Sequence, residues 1–340
     1  MLAAALLACA CDVGSQDNEP GHGPALHIVA SYPADGQGLQ AADGSPSCAT
    51  PTPDCAVPVN APIELRFDRF LLPTSGIPLG LRLYSGDPKT NGVGLSGSYD
   101  VLERVAVFRH VAPLQPNALY TAEVLPAQDS NQGFWAFDGA PLEVAGSVPF
   151  RFSFKTGSDA EVVVPPLPSV DTCVTIAPAF ASCSGMCHTR PAPPMGLDLS
   201  DQYGFYYSAV ARSAHEAQTG NDALTTLSSA ARFGVEMPII DPNSPATSYL
   251  IYKLLAKADN FVLAPDETCN SGFHAPVSDG ACQSPSADEQ VRLREWFVRG
   301  EAMPKNPPNG VASAHVDHAT LQRITSWIAA GAACNPPATQ

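Results

Sequence analysis

Residues 150–155 read Phe-Arg-Phe-Ser-Phe-Lys, so aromatic and polar side chains alternate along the stretch. Residues 62–68, Pro-Ile-Glu-Leu-Arg-Phe-Asp, alternate in the same way. Because successive side chains of a β-strand point to opposite faces of a sheet, both stretches predict strands with one buried face. Similar short runs at 105–107 and 118–125 lie between Pro, Gly and Asn turns. Many short strands without a sustained helical stripe predict a two-sheet β-sandwich over residues 25–158.

The composition excludes several classes of protein. The chain has 340 residues, 45% of them apolar and 15% charged, which is typical of folded protein. A net charge of −15 and the lack of a basic stripe argue against a nucleic-acid partner. The longest apolar run, residues 2–10, is much shorter than the roughly 20 residues of a membrane-spanning helix. Ten Cys indicate an oxidising compartment, and 34 Pro suit strands, turns and linkers.

The N-terminus reads as a processing signal. Residues 1–8 are Leu and Ala after the first Met, and they end directly before Cys9. The sequence Leu-Leu-Ala-Cys resembles the lipobox of bacterial lipoproteins, in which a small residue precedes the Cys that is cleaved and acylated. The resemblance implies a lipoprotein signal and tether over 1–24 and a lipid anchor on Cys9. With Ala10 at the sorting position, it also implies a cell-envelope location at the outer membrane of a Gram-negative bacterium. Acylation at Cys11 and an ordinary apolar strand are the alternatives.

Three stretches of the predicted sandwich, 62–68, 118–122 and 150–157, resemble the Ig-like domain of bacterial surface-layer proteins. The resemblance implies a role in spacing and display, without catalytic chemistry. Residues 159–172 follow it and contain three prolines within 165–168, which predicts a stiff, extended linker.

Residues 183–188, Cys-Ser-Gly-Met-Cys-His, carry the sharpest chemical signal. Attachment of a c-type haem needs two thiols that add across the vinyl groups and a His directly after the second thiol to coordinate the iron. Three residues separate Cys183 from Cys187, where the common motif has two. A Cys183–Cys187 disulfide loop and a zinc site are the alternatives. Zinc would need a second Cys/His pair, which Cys269 and Cys282 do not resemble.

The residues after this motif predict helices. Pro245 suits the first turn of a helix that continues through 248–254. Ser286 and Glu289 predict a capping box at the start of the next helix. The last helix should end at Gly331 and has an apolar stripe formed by Leu321, Ile324, Trp327 and Ile328.

Together these segments resemble the cytochrome c-like domain of bacterial lipoproteins and planctomycete-type secreted proteins. The matching motifs after the Cys–Cys-His motif are Gly-Leu-Asp-Leu at 196–199, Pro-x-x-Ser-Tyr-Leu at 245–250, Met-Pro at 303–304 and Trp-Ile-x-x-Gly-Ala at 327–332. The resemblance implies an all-α domain over 173–335, with an insertion at about 256–285. It also implies one covalent haem c, attached through Cys183 and Cys187, with His188 and Met303 as axial ligands.

Two further sets of residues complete this assignment. Met303 is preferred over Met237 as the second axial ligand because it occupies the Met-Pro position of the family pattern and lies in an extended loop between helices. Its alternative role is that of a core residue.

The remaining cysteines outside the tether are expected to form three disulfides, Cys48–Cys55, Cys173–Cys334 and Cys269–Cys282.

The sequence therefore predicts two domains, an all-β Ig-like sandwich followed by an all-α cytochrome c-like domain. The expected function is that of a membrane-tethered monohaem c-type cytochrome that transfers electrons by an outer-sphere mechanism in the periplasm or at the cell surface. The acidic balance favours a redox partner protein with a basic patch. One alternative is a haem enzyme, a peroxidase or oxidase subunit, whose open distal site includes a residue such as His215 or His274. The other is a haemless, disulfide-stapled surface binding module.

We expect Cys9→Ser to move the protein from the membrane fraction to the soluble fraction, because serine cannot carry the lipid. Cell fractionation followed by immunoblotting measures the shift. Cys11→Ser is the matched control and should stay anchored. Loss of anchoring in Cys11→Ser alone would transfer the lipid to Cys11, and unchanged fractionation of Cys9→Ser would contradict the lipobox interpretation.

Overall fold

The kind of secondary structure changes along the chain from strands to helices. The computed structural model describes residues 23–39, 56–73, 77–86, 91–127, 133–143, 150–158, 160, 171–184, 188–191, 193, 196–212, 214, 237–257, 273, 285–296, 298 and 316–334. Within them, all named strands end before residue 156 and all α-helices begin at or after residue 173.

The strands form two antiparallel sheets among the described residues. Their bounds are β1 Ile28–Tyr32, β2 Ile63–Phe67, β3 Leu81–Ser85, β4 Gly92–Val93, β5 Leu95–Asp100, β6 Val105–His110, β7 Leu119–Val124 and β8 Arg151–Lys155. The order is β1-β2-β6-β5 in one sheet and β4-β3-β7-β8 in the other. Both sheets contribute apolar side chains to one core, in which the ring of Phe134 contacts those of Phe67 and Phe108 at centroid distances of 5.0 and 6.2 Å.

The two alternating stretches form β2 and β8, but only β8 keeps one face open to solvent. In β8, Phe152 and Phe154 are buried while Arg151 and Lys155 are exposed. In β2 every side chain is buried, including that of Arg66. The reason is that residues outside the sheet cover the polar face of β2, as the contacts of Arg66 below show.

The C-terminal half contributes short helices. They are α1 Cys173–Ile176, α2 Ala181–Ser184, α3 Gln202–Ala209, α4 Tyr249–Leu255, α5 Ala287–Trp296 and α6 His318–Ala329. Asp317 caps α6 by accepting a hydrogen bond from the Thr320 N–H at 2.7 Å. The predicted apolar stripe of α6 is buried in full. No helix among the described residues is both long and apolar enough to cross a membrane.

The described structure is thus mixed, with antiparallel sheets followed by short helices. The all-α cytochrome domain expected for 173–335 is not shown. The described part of that range contains irregular segments and an isolated parallel bridge between Val210 and Ile240, besides its helices.

A buried cation joins the sheets to the helices. The side chain of Arg69, which follows β2, is only 5% exposed. Its Nε donates to Glu289 of α5 at 2.8 Å, and its Nη2 donates to Asp138 at 2.7 Å. Burial alone would lower the pKa of Arg69, but the charges of Glu289 and Asp138 outweigh it and raise the pKa, so the guanidinium is charged.

The contacts of Glu289 differ from those of the predicted capping box. Ser286 does cap α5, because its Oγ accepts from the Glu289 N–H at 3.1 Å. The Glu289 side chain, however, accepts from Arg69 and from the Phe70 N–H at 3.0 Å. A capping box would turn this carboxylate back to Ser286. The buried cation instead draws it across to the residues that follow β2.

Two more contacts cross the same boundary. Arg66 of β2 donates to both the backbone and the side chain of Glu103, each at 2.9 Å, and Glu103 Oε1 lies 3.7 Å from His318 Nε2 at the start of α6. The ring of Phe70 packs edge-on against Tyr252 of α4 at a centroid distance of 6.3 Å. The two halves therefore share a packed, charged boundary. Most of the predicted linker, 159–172, lies outside the described residues.

Arg69→Met should lower the free energy of unfolding by about 3–5 kcal/mol at pH 7.5, because it leaves two buried carboxylates without their cation. Burial raises the folded-state pKa of Glu289 even beside Arg69, and removing the cation should raise it further. The contribution of Glu289 is then favourable at low pH and is lost as pH rises, so the deficit in the free energy of unfolding should shrink towards pH 5. Urea unfolding at both pH values measures this. Arg82→Met, at an exposed site on β3, is the control. The account would be contradicted if Arg69→Met lowered the free energy of unfolding by no more than Arg82→Met does, and by the same amount at both pH values.

Candidate functional site

The described part of the Cys–Cys-His motif extends from α2 into the segment before α3. Cys183 is on α2 and is 8% exposed, and His188 is half-buried. The His188 N–H donates to the carbonyl oxygen of Cys183 at 3.0 Å. This hydrogen bond keeps His188 beside the helix that carries Cys183. Cys187 lies outside the described residues.

The imidazole of His188 is held by the Gly-Leu-Asp-Leu segment. His188 Nδ1 lies 3.2 Å from the carbonyl oxygen of Leu197, and the Leu199 N–H donates to the His188 carbonyl at 2.8 Å. Because a carbonyl only accepts, this contact assigns the ring proton to Nδ1 and leaves the Nε2 lone pair for a ligand. Metal-bound histidines in proteins usually donate their second ring nitrogen in this manner. The described contacts of His188 therefore leave Nε2 as the ring nitrogen that could bind a ligand.

A polar clasp fixes the same segment to α3. Arg190 Nε lies 2.7 Å from Asp198 Oδ2, and Arg190 Nη2 lies 2.6 Å from Asp201 Oδ2. Asp201 also caps α3, since it accepts from the N–H groups of Tyr203 and Gly204. Burial alone would raise the pKa of Asp198, but hydrogen bonds from Ser200 and the charge of Arg190 outweigh it and lower the pKa. The carboxylate is therefore ionised at neutral pH and orders the loop after His188.

Aromatic stacking links α3 to α6, and a disulfide links α1 to the segment after α6. Phe205 of α3 stacks on Trp327 of α6 at 5.8 Å and contacts Phe180 at 5.1 Å. A disulfide joins Cys173 of α1 to Cys334, whose Cα atoms lie 4.8 Å apart. These contacts hold α1, α3, α6 and Cys334 together.

The structure brings together only part of the predicted site. It shows the expected Cys173–Cys334 pair. Met237 is buried, and its carbonyl accepts from the Ala214 N–H at 3.0 Å. Outside the described residues lie Cys9, Cys11, Cys48, Cys55, Cys187, His215, Cys269, His274, Cys282 and Met303. Among the residues that are described, no three or more His, Cys, Asp or Glu side chains cluster in a way that could hold a metal ion.

The clasp residues are those that sequence reasoning missed. The Gly-Leu-Asp-Leu motif contains Asp198 but does not predict its partner, and no motif contains Arg190. A signal was present, because a cation two residues after His188 and two carboxylates around the start of the next helix are complementary in charge.

Comparisons with known proteins give little support to any assignment. No protein-family model matches the chain, and no curated protein matches it. The N-terminal part of the bacterial S-layer protein SbsC aligns at 10% identity and a TM-score of 0.25, covering 39% of this chain and 24% of that one. Domains 1–6 of surface layer protein SbsC align at 9% identity and a TM-score of 0.25, covering 39% of this chain and 14% of that one. The S-layer protein rSbsC(31-844) aligns at 9% identity and a TM-score of 0.26, covering 44% of this chain and 16% of that one. The chain thus spans a quarter or less of these proteins, and likeness at this level carries no argument about function.

Gly204→Ala should destabilise the protein, although alanine favours a helix over glycine by about 1 kcal/mol. A Cβ at this position would overlap the carboxylate of Asp198. Displacing that carboxylate breaks the clasp, so we expect the free energy of unfolding to fall by about 1–3 kcal/mol in urea. Gly92→Ala is the matched control, because a Cβ there meets no atom within 4 Å. A Gly204→Ala protein more stable than the parent would contradict the described clasp.

Proposed function

We propose that this chain is a disulfide-stapled surface module of the bacterial cell envelope, which acts by binding a partner. The observation that carries the proposal is the Cys173–Cys334 disulfide, which closes a sequence separation of 161 residues. Closing a loop of that length stabilises the folded state by about 5 kcal/mol, chiefly by restricting the unfolded chain. A disulfide persists in an oxidising compartment such as the cell exterior.

The sheets are assigned to the Ig-like class in this proposal. Two observations support the assignment. Named A to G in chain order, with C′ after C, the strands run A-B-E-D in one sheet and C′-C-F-G in the other, which is the constant-type order with one added strand. In addition, Tyr120 near the start of β7 accepts a hydrogen bond from the Gln115 N–H at 2.7 Å. A tyrosine that bonds back to the backbone at this corner is a hallmark of the fold.

The location follows from the lipobox resemblance. A lipid on Cys9 and the tether over 1–24 would hold the module at the outer membrane of a Gram-negative bacterium. The sheets would then act as a spacer, and the charged boundary at Arg69 would hold the helices at a fixed orientation. A fixed orientation suits display, because the helices cannot fold back onto the membrane independently of the sheets.

A covalent haem c is the second candidate, and the contact between His188 Nδ1 and the Leu197 carbonyl favours it. Cys183 and Cys187 would attach the group, and His188 with Met303 would ligate it. When bound, it would supply reversible one-electron transfer between Fe(III) and Fe(II). The residues of this chain would orient the imidazole through Leu197 and hold the loop through the Arg190–Asp198 pair. The net charge of −15 would favour a redox partner with a basic patch.

Peptide mass spectrometry separates the two candidates. The protein is exported to the periplasm of cells with and without a cytochrome c maturation system. For the haemless module, we expect no haem-sized adduct on the peptide that contains Cys183 and Cys187 in either strain, together with an intact Cys173–Cys334 cross-link. An adduct that appears only with the maturation system would instead establish the cytochrome. It should then vanish in Cys183→Ala/Cys187→Ala and persist in the matched control Cys269→Ala/Cys282→Ala.

A further inference from the structure

A cleft of about 550 Å³ lies between the end of α3 and the segment that follows α6. Its lining includes Tyr206, Tyr207, Arg212, Pro242 and Ala332. Small-molecule sites in proteins usually have volumes of roughly 300–1,000 Å³. The lining includes neither Cys183 nor His188, so the cleft is separate from the motif discussed above.

Two tyrosines expose their rings at this cleft. Tyr206 is 37% and Tyr207 63% exposed, and their rings meet edge to face at a centroid distance of 5.4 Å and an angle of 71°. The neighbouring Phe205 is buried against Trp327, so α3 presents aromatic side chains both to the core and to solvent. A tyrosine offers a flat apolar face and a hydroxyl that can donate or accept.

Arg212 adds a cation to the same cleft. It is exposed, and its Nε donates to the carbonyl oxygen of Tyr207 at 3.0 Å. This bond ties the guanidinium to the backbone of Tyr207, within the same cleft lining. A guanidinium has donors and no acceptor, so it selects ligands that are rich in oxygen acceptors.

The backbone of both cleft walls is strained and fixed. Ala211 and Ala332 have φ angles of 53° and 52°, which residues other than Gly, Asn and Asp seldom adopt. Their N–H groups are bound within the fold, to the carbonyl oxygens of Ile240 at 2.8 Å and Trp327 at 2.9 Å. Strain of about 1 kcal/mol or more per residue persists where the surrounding structure enforces it, and such residues cluster at ligand sites. The disulfide at Cys334 anchors the second wall.

We propose that this cleft binds a saccharide ring of an envelope or extracellular glycan. The inference rests on the proposed function, since it names the ligand class of the surface module. The N–H groups of Ala211 and Ala332 are used by the fold, so the tyrosine hydroxyls and the Arg212 guanidinium supply the polar recognition. A ligand that satisfies them needs an apolar face to stack on tyrosine and an edge of oxygen acceptors. A sugar ring has both, with its C–H face and its hydroxyl edge.

Other ligand classes fit the cleft less well. An acyl chain would cover the tyrosine hydroxyls and Arg212 without satisfying them, which is costly for buried polar groups. Nucleic acid would meet a chain of net charge −15. A saccharide avoids both penalties.

A glycan array that spans neutral hexoses, hexosamines and uronic acids, probed with the folded chain, tests the proposal. Calorimetric titration with a soluble tetrasaccharide of the best class then gives the affinity. We expect Tyr207→Ala to weaken binding at least tenfold. Tyr203→Ala, on the same helix but outside the cleft lining, is the matched control and should bind as the parent does. Arg212→Ala should weaken the binding of uronic acids more than the binding of neutral sugars.

Two results would overturn the proposal: binding to no glycan on the array, or unchanged affinity in Tyr207→Ala. Circular dichroism of each variant confirms folding, and the 63% exposure of Tyr207 makes a folding defect from its removal small. Failure here is distinguishable from failure of the proposed function. A haem adduct would overturn the haemless module whatever the array shows, whereas a haemless, cross-linked protein that binds no glycan would overturn only the saccharide assignment.

Discussion

A single buried guanidinium, that of Arg69, fixes how the helices sit on the sheets. It lies between Asp138, from the strand-rich half, and Glu289 of α5, at distances of 2.7 and 2.8 Å. Charges out of water are costly unless their partners are close and well oriented. A displacement of α5 by a few ångströms would therefore leave at least one charge unpaired. Apolar contacts alone are non-directional and would permit such a displacement. The position of α5, and through it the packing of Phe70 against Tyr252, thus depends on this cation.

Local patterns predicted the elements better than they predicted the contacts between them. The alternation at 150–155 predicted β8 with the correct buried face, and the apolar stripe of α6 is buried as expected. The same alternation misassigned the polar face of β2, because Arg66 is buried against Glu103, which itself lies 3.7 Å from His318 at the start of α6. Glu289 failed as a reciprocal capping residue for a similar reason. Its partner Arg69 lies 220 positions away in the sequence, and no local pattern signals a pairing at that distance.

The two candidate sites also differ in how far apart their residues lie in the sequence. The Cys–Cys-His motif is visible in the sequence because the haem attachment that it predicts would depend on residues that follow one another. Its support is nearly as local, since Leu197 and Asp198 lie ten or fewer residues beyond His188. The tyrosine cleft combines residues of α3 with Ala332 and Cys334, which lie more than a hundred positions later. The stacking of Phe205 on Trp327 and the disulfide bring these segments together. The disulfide is among the pairs expected from the sequence, whereas the stacking follows from no local pattern.

The central claim is that the sheets and the helices form one cooperative unit through their charged boundary. Hydrogen exchange measured by mass spectrometry across a urea series tests it most directly, with peptides from β7 and from α6 followed in the same sample. The account predicts that both peptides lose protection at the same urea concentration and with the same slope. Loss of protection in α6 at a clearly lower concentration, while β7 stays protected, would show that the helices unfold on their own and would contradict it.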